Sequence, residues 1–340
     1  MSQQCRAWRI HEYGTADVLR LETITLGPLR PDRVRVRVKA MGLNRSDILW
    51  TTAGFFQPEL PSRLGAEICG IVEQVGADVT GFAPGQRVSN TPLMYADIYS
   101  NFGEYADIPA NALILTPEGL SDAEGAAFVF THLTQMCGLS ELAGLKPGQR
   151  LLVTAASSAN GLSAIALGRF LGAEVIAVTR GSSKREMLLA AGAHHVIASA
   201  EADLVPAVMA ATGGHGVDIA WDCVGGALSN DLVQSMATEG RWIMYGFLDP
   251  SPVVVNWPLW FSRQISLQIF ALTQYSGNAE LGTLGRPIEW RRALDAVVAL
   301  CGRGDLPIPI AHCFDGMAHV PDAFRLMESN AGGGKIVILA

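Results

Sequence analysis

The spacing of apolar positions changes character near residue 123. Up to about residue 120, short stretches of alternating apolar and polar side chains are broken by glycine and proline, which predicts β-strands. In the run RPDRVRVRVK (30–39), Val34, Val36 and Val38 alternate with charges, as in a strand with one wet face. ICGIVEQV (68–75) follows a Gly65-Ala66-Glu67 turn, Pro84 to Val88 reads as a turn into a strand, and FGEYADI (102–108) reads as a further strand. Beyond 123 the period lengthens. Residues 124–143 are helix-like, and after Lys146-Pro147-Gly148 short apolar runs alternate with helical patterns. Strands are predicted at 150–155, 174–179, 194–198, 217–223, 240–246 and 266–272, with helices at 160–171, 183–191, 203–211, 228–236 and 289–303. That alternation predicts a doubly wound parallel sheet. The apolar run 335–339 reads as a strand returning to the first domain. The expected organisation is a β-rich domain of residues 1–122 and 310–340, into which a parallel-sheet domain of residues 123–309 is inserted.

The segment RLLVTAASSANGLSAIALGRFLGAEVIAVTRGSSK (150–184) carries the clearest chemistry. It reads as strand, small-residue turn, helix, strand and basic loop, the order of a dinucleotide-binding βαβ unit. In the turn, Ser157, Ser158, Ala159, Asn160 and Gly161 are small or short. A pyrophosphate can therefore approach the backbone N–H groups at the helix N-terminus. The first two glycines of the usual fingerprint are missing. An NAD site commonly places a carboxylate roughly 20 residues beyond this turn, on the ribose 2′-hydroxyl. Here Thr179, Arg180, Ser182, Ser183 and Lys184 stand there instead, two cations among hydroxyls. They suit a 2′-phosphate, so NADPH is the expected cofactor. A merely solvated basic loop would read the same way.

Composition narrows the alternatives. The chain has 340 residues, 49% hydrophobic and 17% charged, which excludes a disordered chain and leaves room for two cores. A net charge of −7 argues against a nucleic-acid surface. No apolar run is long enough to span a bilayer, and residues 1–9 carry no apolar signal core, so a cytoplasmic protein away from membranes is expected. The six cysteines form no CxxC pair, which argues against a disulfide framework or a structural zinc knuckle.

Six motifs stand in order along the chain: Gly42-Leu43-Asn44-Arg45-Ser46-Asp47, Leu64 to Val72 (LGAEICGIV), Gly103-Glu104-Tyr105, the turn Ala155 to Gly161, Asp222-Cys223-Val224-Gly225-Gly226, and Gly334-Lys335-Ile336-Val337. Together they resemble those of the medium-chain dehydrogenase/reductase superfamily, and within it the zinc-independent quinone oxidoreductase-like branch. The resemblance implies a GroES-like β-rich catalytic domain plus a Rossmann domain with a doubly wound parallel sheet. It also bears on metal. Ala66 stands where zinc-dependent relatives carry a histidine before the glutamate, and Glu67 alone of the ligands remains. A catalytic zinc needs three convergent ligands, so no metal is expected.

Hydride transfer without a metal suits an electron-poor acceptor, because nothing lowers the pKa of a simple alcohol. The expected substrate is a small electrophile, a quinone or an α,β-unsaturated carbonyl. Donors must then stabilise charge developing on its oxygen. The resemblance implies Asn44, beside the nicotinamide ribose and substrate, as first candidate; a turn-former is the alternative. Asp47 reads as a cap or a catalytic group, and Tyr99 as a loop tyrosine or a proton donor. Trp50, Phe55 and Phe56 are pocket wall or core. Thr134 stands where the branch has a threonine near the nicotinamide, and Lys335 is implied as a further cofactor contact. Cys223, Val224, Tyr245 and Gly246 end the fourth and fifth strands, where ligands of open α/β sheets lie. Phe270, Ala271 and Leu272 end the sixth strand and suit the carboxamide. A zinc-free carbonyl reductase and a non-catalytic NADPH-binding protein remain alternatives. The apolar edge run RQISLQIFALT (263–273) predicts pairing with its twin in a homodimer.

Overall fold

The computed structural model describes residues 3–54, 57–92, 100–277 and 283–340. The chain divides into two compact units: Met1–Thr131 with Ser276–Pro287 and Leu294–Ala340, and His132–Tyr275 with Ile288–Ala293.

The first unit is built on antiparallel pairing. Its elements begin with β1 (Gln3–Ile10), β2 (Arg20–Leu26), β3 (Arg33–Leu43), α1 (Arg45–Thr51), β4 (Ser62–Arg63) and β5 (Glu67–Val75). There follow β6 (Arg87–Asn90), β7 (Tyr105–Pro109), β8 (Leu113–Leu115) and α2 (Asp122–Gly125), with α3 (Val129–Gln135) next in the chain. Among the described residues, β1 joins β2 and β4 in a small sheet, while β3 pairs with β5 and β7 at the centre of a larger one. The alternation in β3 predicts a wet face. The structure keeps this for Arg37, which is exposed, and corrects it for Arg33 and Arg35. Arg33 and Arg35 are 7% and 5% exposed. The Arg35 guanidinium donates twice to Asp107, at 2.8 Å each, and once to the Gly27 carbonyl. Arg33 donates to the Asp107 carbonyl. Strand β7 brings the carboxylate that makes buried arginine tolerable, and periodicity alone does not report a partner 72 residues away.

The second unit alternates strands and helices. In order these are β9 (Arg150–Val153), α4 (Ala159–Phe170), β10 (Glu174–Thr179), α5 (Arg185–Ala190), β11 (His195–Ala198), α6 (Leu204–Ala211), β12 (Val217–Asp222), α7 (Ser229–Ser235), β13 (Met236–Met244), α8 (Trp257–Arg263), β14 (Ser266–Ile269) and α9 (Thr273–Ser276). All sheet pairs are parallel, in the order β11-β10-β9-β12-β13-β14. Numbered within the unit this is 3-2-1-4-5-6, the Rossmann order, with its reversal between β9 and β12. Leu152, Ile176, Val178, Ile197 and Trp242 of the strands pack with Leu204, Val208, Leu232 and Val233 of α6 and α7. The continuously apolar strands follow from burial on both faces.

Two other expectations shift. The helical stretch over 124–143 breaks after Gly125, resumes as α3 and then widens into a π-helical segment, Met136–Leu142. Within that segment a Cβ on Gly138 would lie 2.0 Å from the Trp221 ring, so only glycine lets this segment and β12 approach. The sixth strand ends at Ile269 rather than 272, because Phe270 turns into an aromatic cluster with Trp221 and Tyr275. After α10 (Pro287–Gly302), the chain adds β15 (Ile310–Asp315), α11 (Val320–Glu328) and β16 (Lys335–Leu339). Strand β16 lies between β15 and β3, so the last strand joins the large sheet of the first unit. Among the described residues, no helix is long and apolar enough to cross a membrane.

Candidate active site

In the first unit, the sequence candidates converge on a buried polar knot. Strand β16 delivers Lys335, 2% exposed, and β5 delivers the fully buried Glu67. The Lys335 ammonium donates to Glu67 Oε2 at 2.6 Å and to Asn44 Oδ1 at 2.7 Å. Asn44 Nδ2 donates to Glu67 Oε2 at 3.1 Å and to the Gly42 carbonyl at 3.3 Å. Glu67 Oε1 accepts from the Phe130 N–H at 3.1 Å. Each charge therefore meets an opposite charge and further hydrogen bonds, which burial demands. Asn44 initiates α1, and its amide is committed inward on both ends. Of its donor bonds the longer, to Gly42, is the one that an acceptor oxygen would most readily replace.

Asp47 sits just below this knot. One carboxylate oxygen accepts from the Asn44 N–H at 2.7 Å and the other from the Ala66 N–H at 3.1 Å. Burial pushes its pKa up to about 7, against the pull of the Asn44 N–H, the Lys335 charge and the Ala66 N–H. It fixes the entry to α1 and the turn before β5, which is the capping role weighed in the sequence. Trp50 is core: 4% exposed, its Nε1 donating to the Arg63 carbonyl at 3.1 Å. Tyr99, Phe55 and Phe56 lie outside the described residues. The resemblance implies Lys335 as a cofactor contact, yet its ammonium lies buried against Glu67 and Asn44.

In the second unit, β9 ends at Val153 and the small-residue turn leads into α4. Ala155 takes φ +43°, the left-handed conformation that glycine adopts without strain. Ser158 caps α4, its hydroxyl accepting from the Gly161 N–H at 3.0 Å. The N–H groups of Ala159 and Asn160 belong to the helix's first turn and have no intrahelical acceptor. With Ser157 alongside, this is a donor set suited to a pyrophosphate. Gly161 has a packing reason of its own, since a Cβ there would lie 2.5 Å from the Ala156 carbonyl oxygen. The Asn160 side chain accepts from Gln135, whose other amide end accepts from the Trp221 indole.

The ends of the fourth and fifth strands are pinned by Asp222, a role that sequence reasoning misses. Its buried carboxylate accepts from Thr154 Oγ1 at 2.6 Å, from the N–H groups of Val224 and Gly225 at 2.9 and 3.1 Å, and from Trp242 Nε1 at 3.1 Å. The backbone of Cys223 and Val224 is occupied too: their carbonyls accept from Leu248 and Asp249. Burial raises the Cys223 thiol to about 11, so it is not a nucleophile at neutral pH. Tyr245 stacks on Trp221 with ring centroids 4.3 Å apart, and its hydroxyl points inward. At Gly246 a Cβ would lie 3.0 Å from that of Cys223. Phe270 is buried, and the carbonyls of Ala271 and Leu272 start the next helical turn. Thr134 is half-buried in α3.

At the end of β10, Thr179 is buried while Arg180, Ser182 and Ser183 are exposed and Lys184 is half-buried. Among the described residues, neither Arg180 nor Lys184 makes a side-chain hydrogen bond or ion pair. The expectation that no carboxylate stands here is corrected. Glu201, from the loop after β11, accepts from the Ser182 N–H at 2.8 Å. Spacing from the turn does not reveal it, because it arrives from the neighbouring strand.

Comparison with known proteins agrees with this architecture. Residues 159–295 match the zinc-binding dehydrogenase family, and residues 30–118 match the alcohol dehydrogenase GroES-like domain. The structure is similar to that of Escherichia coli quinone oxidoreductase complexed with NADPH, at 25% identity and a TM-score of 0.88, covering 98% of this chain and 100% of that one. It is also similar to 2-haloacrylate reductase, at 26% identity and a TM-score of 0.82, covering 98% and 99% of the two chains. In sequence it is 30% identical over 333 residues to a phenolphthiocerol/phthiocerol polyketide synthase of Mycobacterium tuberculosis. That match takes in 97% of this chain but 14% of the synthase. The zinc named in the family description does not fit the residues present. Alanine stands at 66, Glu67 is saturated by an ammonium, an amide and a backbone N–H, and no group of three His, Cys, Asp or Glu side chains among the described residues is placed to hold a metal.

The knot generates a stability prediction. Lys335→Met should strand the buried Glu67 carboxylate and cost about 3–5 kcal/mol, measured by denaturant unfolding. Adding Glu67→Gln should recover a large part of that loss. An unchanged unfolding midpoint in the single variant would mean that the pair is not structural.

Proposed function

Given that the chain belongs to the medium-chain dehydrogenase/reductase superfamily, in its quinone oxidoreductase-like branch, and is an oxidoreductase of that type, we propose that it reduces an activated alkene or quinone with NADPH. The observation that carries the cofactor choice is the pair of cations, Arg180 and Lys184, left without protein partners beyond β10 among the described residues. When bound, NADPH supplies hydride from nicotinamide C4 to one carbon of the conjugated acceptor, and a proton from solvent or an acid completes the neighbouring atom. The N-terminus of α4 offers its free N–H groups to the pyrophosphate. Arg180 supplies a planar fork to the 2′-phosphate, and Lys184 a point charge. In the first unit, the amide of Asn44 is held in one orientation by Lys335 and Glu67.

The acceptor class follows from the donor set. Among the described residues no ligand set fits zinc; hydrogen-bond donors then take the place of a Lewis acid, and a conjugated acceptor needs less stabilisation because its charge is delocalised. The reductase named for a haloacrylate, itself an alkene conjugated to a carboxylate, supports this reading. The similarity to a stretch of a polyketide synthase is consistent with an enoyl group as the reducible unit. The physiological acceptor is expected to be a small electrophile, and the setting a cytoplasmic one.

We propose a homodimer as well. Strand β14 is an edge of the six-stranded sheet, and Ile269 on it is 71% exposed. Phe261 and Trp257 on α8 are 85% and 68% exposed. An apolar edge of this kind is stabilised by pairing with a second copy. Sedimentation at micromolar concentration should give twice the chain mass, and a monomer would count against the proposal.

A panel of quinones, enones, enals and aldehydes, followed by loss of NADPH absorbance, tests the chemistry. An enone should yield the saturated ketone. An allylic alcohol would point to a carbonyl reductase instead, and tight NADPH binding with no turnover across the panel would point to a non-catalytic binding protein. The cofactor assignment has its own test. Arg180→Ala with Lys184→Ala should raise KM for NADPH about tenfold to hundredfold while leaving that for NADH nearly unchanged. Equal losses for both cofactors would reduce the basic loop to a solvated turn.

A further inference from the structure

The carboxylate that the end of β10 lacks in sequence is supplied in space. Parallel pairing sets β11 beside β10, and the backbone continues the association past the strands: Ser199 N–H donates to the Thr179 carbonyl, and Ala200 N–H to that of Arg180. This stitching carries Glu201 to the basic loop. Its Oε1 accepts from the Ser182 N–H at 2.8 Å and lies 3.4 Å from where a Cβ on Gly181 would stand. The side chain remains in contact with water. The hydrogen bond from the Ser182 backbone holds the Glu201 carboxyl below the ordinary glutamate pKa, so it is ionised at neutral pH. Although Arg180 and Lys184 flank the same loop, no ion pair forms between either and Glu201. The loop thus holds an internal anion on a backbone donor and two cations that are not spent on it.

We propose that Glu201 is a specificity-determining residue of the nucleotide site: its carboxylate occupies the Ser182 N–H that a 2′-phosphate would otherwise take, and so narrows the advantage of NADPH over NADH. The inference rests on the proposed binding of the 2′-phosphate by Arg180 and Lys184. A phosphate monoester carries between one and two negative charges at neutral pH. To use the Ser182 donor it must displace an ionised carboxylate, and to sit beside it must accept like-charge repulsion. A ribose 2′-hydroxyl meets neither obstacle, since it is neutral and can donate to the carboxylate. The cations favour the phosphate and the carboxylate opposes it, so discrimination is the difference between the two.

The test uses binding of nucleotide fragments, which needs no turnover. Isothermal titration of the full chain with adenosine 2′,5′-bisphosphate and with 5′-AMP is compared in the wild type, in Glu201→Gln and in Arg180→Ala/Lys184→Ala. Glutamine keeps the length and an oxygen for Ser182 but removes the charge. In Glu201→Gln the bisphosphate should bind about three- to tenfold tighter, the range for like charges several ångströms apart near water. Binding of 5′-AMP should change by less than about twofold or weaken. The gain should shrink as salt is raised, because an exposed charge is screened. If the wild type prefers the bisphosphate but Glu201→Gln leaves its affinity unchanged or lower, Glu201 is not a determinant while the NADPH reading stands. If the wild type binds both fragments equally and the double variant matches it, the NADPH reading falls and this inference falls with it.

Discussion

The ion pair between Lys335 and Glu67 is the constraint on which the first unit's site depends. Two opposite charges removed from water are tolerated only when they meet closely and their remaining hydrogen-bonding capacity is used. Here the third partner is Asn44, which accepts from the ammonium and donates to the carboxylate. One knot therefore ties the last strand of the chain to β5 and to the start of α1. It also commits both oxygens of Glu67 to an ammonium, an amide and a backbone N–H. The glutamate that survives from the family pattern is neutralised by a side chain of the protein itself.

The second unit solves a different problem. Parallel strands end in N–H and carbonyl groups that must be satisfied without closing the surface that receives a ligand. Asp222 meets part of this demand by gathering a hydroxyl, two backbone N–H groups and an indole around one carboxylate. The loops after β12 are thereby fixed, and their polar backbone is largely used. What stays available is the first turn of α4 and the basic loop after β10. Both favour an anion, by unpaired N–H groups in one case and free cations in the other. Against them stands the carboxylate of Glu201.

Much of the fold was legible along the chain. The change of period near 123, the small-residue turn at 155–161 and the strands at 150, 174, 194 and 217 all depend on residues close together in sequence, and each lies within a few positions of its observed place. Local periodicity reports which face of an element is apolar, and in a parallel sheet buried on both faces the signal is strong. The motifs shared with the superfamily likewise sit in contiguous runs. Even the alternatives weighed for Asp47 and Trp50, a cap and a core residue, were present in the sequence.

The tertiary structure alone decided what depends on closure between distant segments. Arg35 looked solvated until β7 brought Asp107 to it. Lys335, which the resemblance implies as a cofactor contact, is carried by β16 to a carboxylate and an amide, the latter 291 residues away. The basic loop looked free of acid until the register of β11 on β10 set Glu201 against Ser182. The physical reason is common to all three. A charged side chain's state depends on its solvation and its nearest opposite charge, and neither follows from its sequence neighbours. Sequence determined the elements and the chemistry on offer, while folding determined which charges were spent on one another and which were left for a ligand.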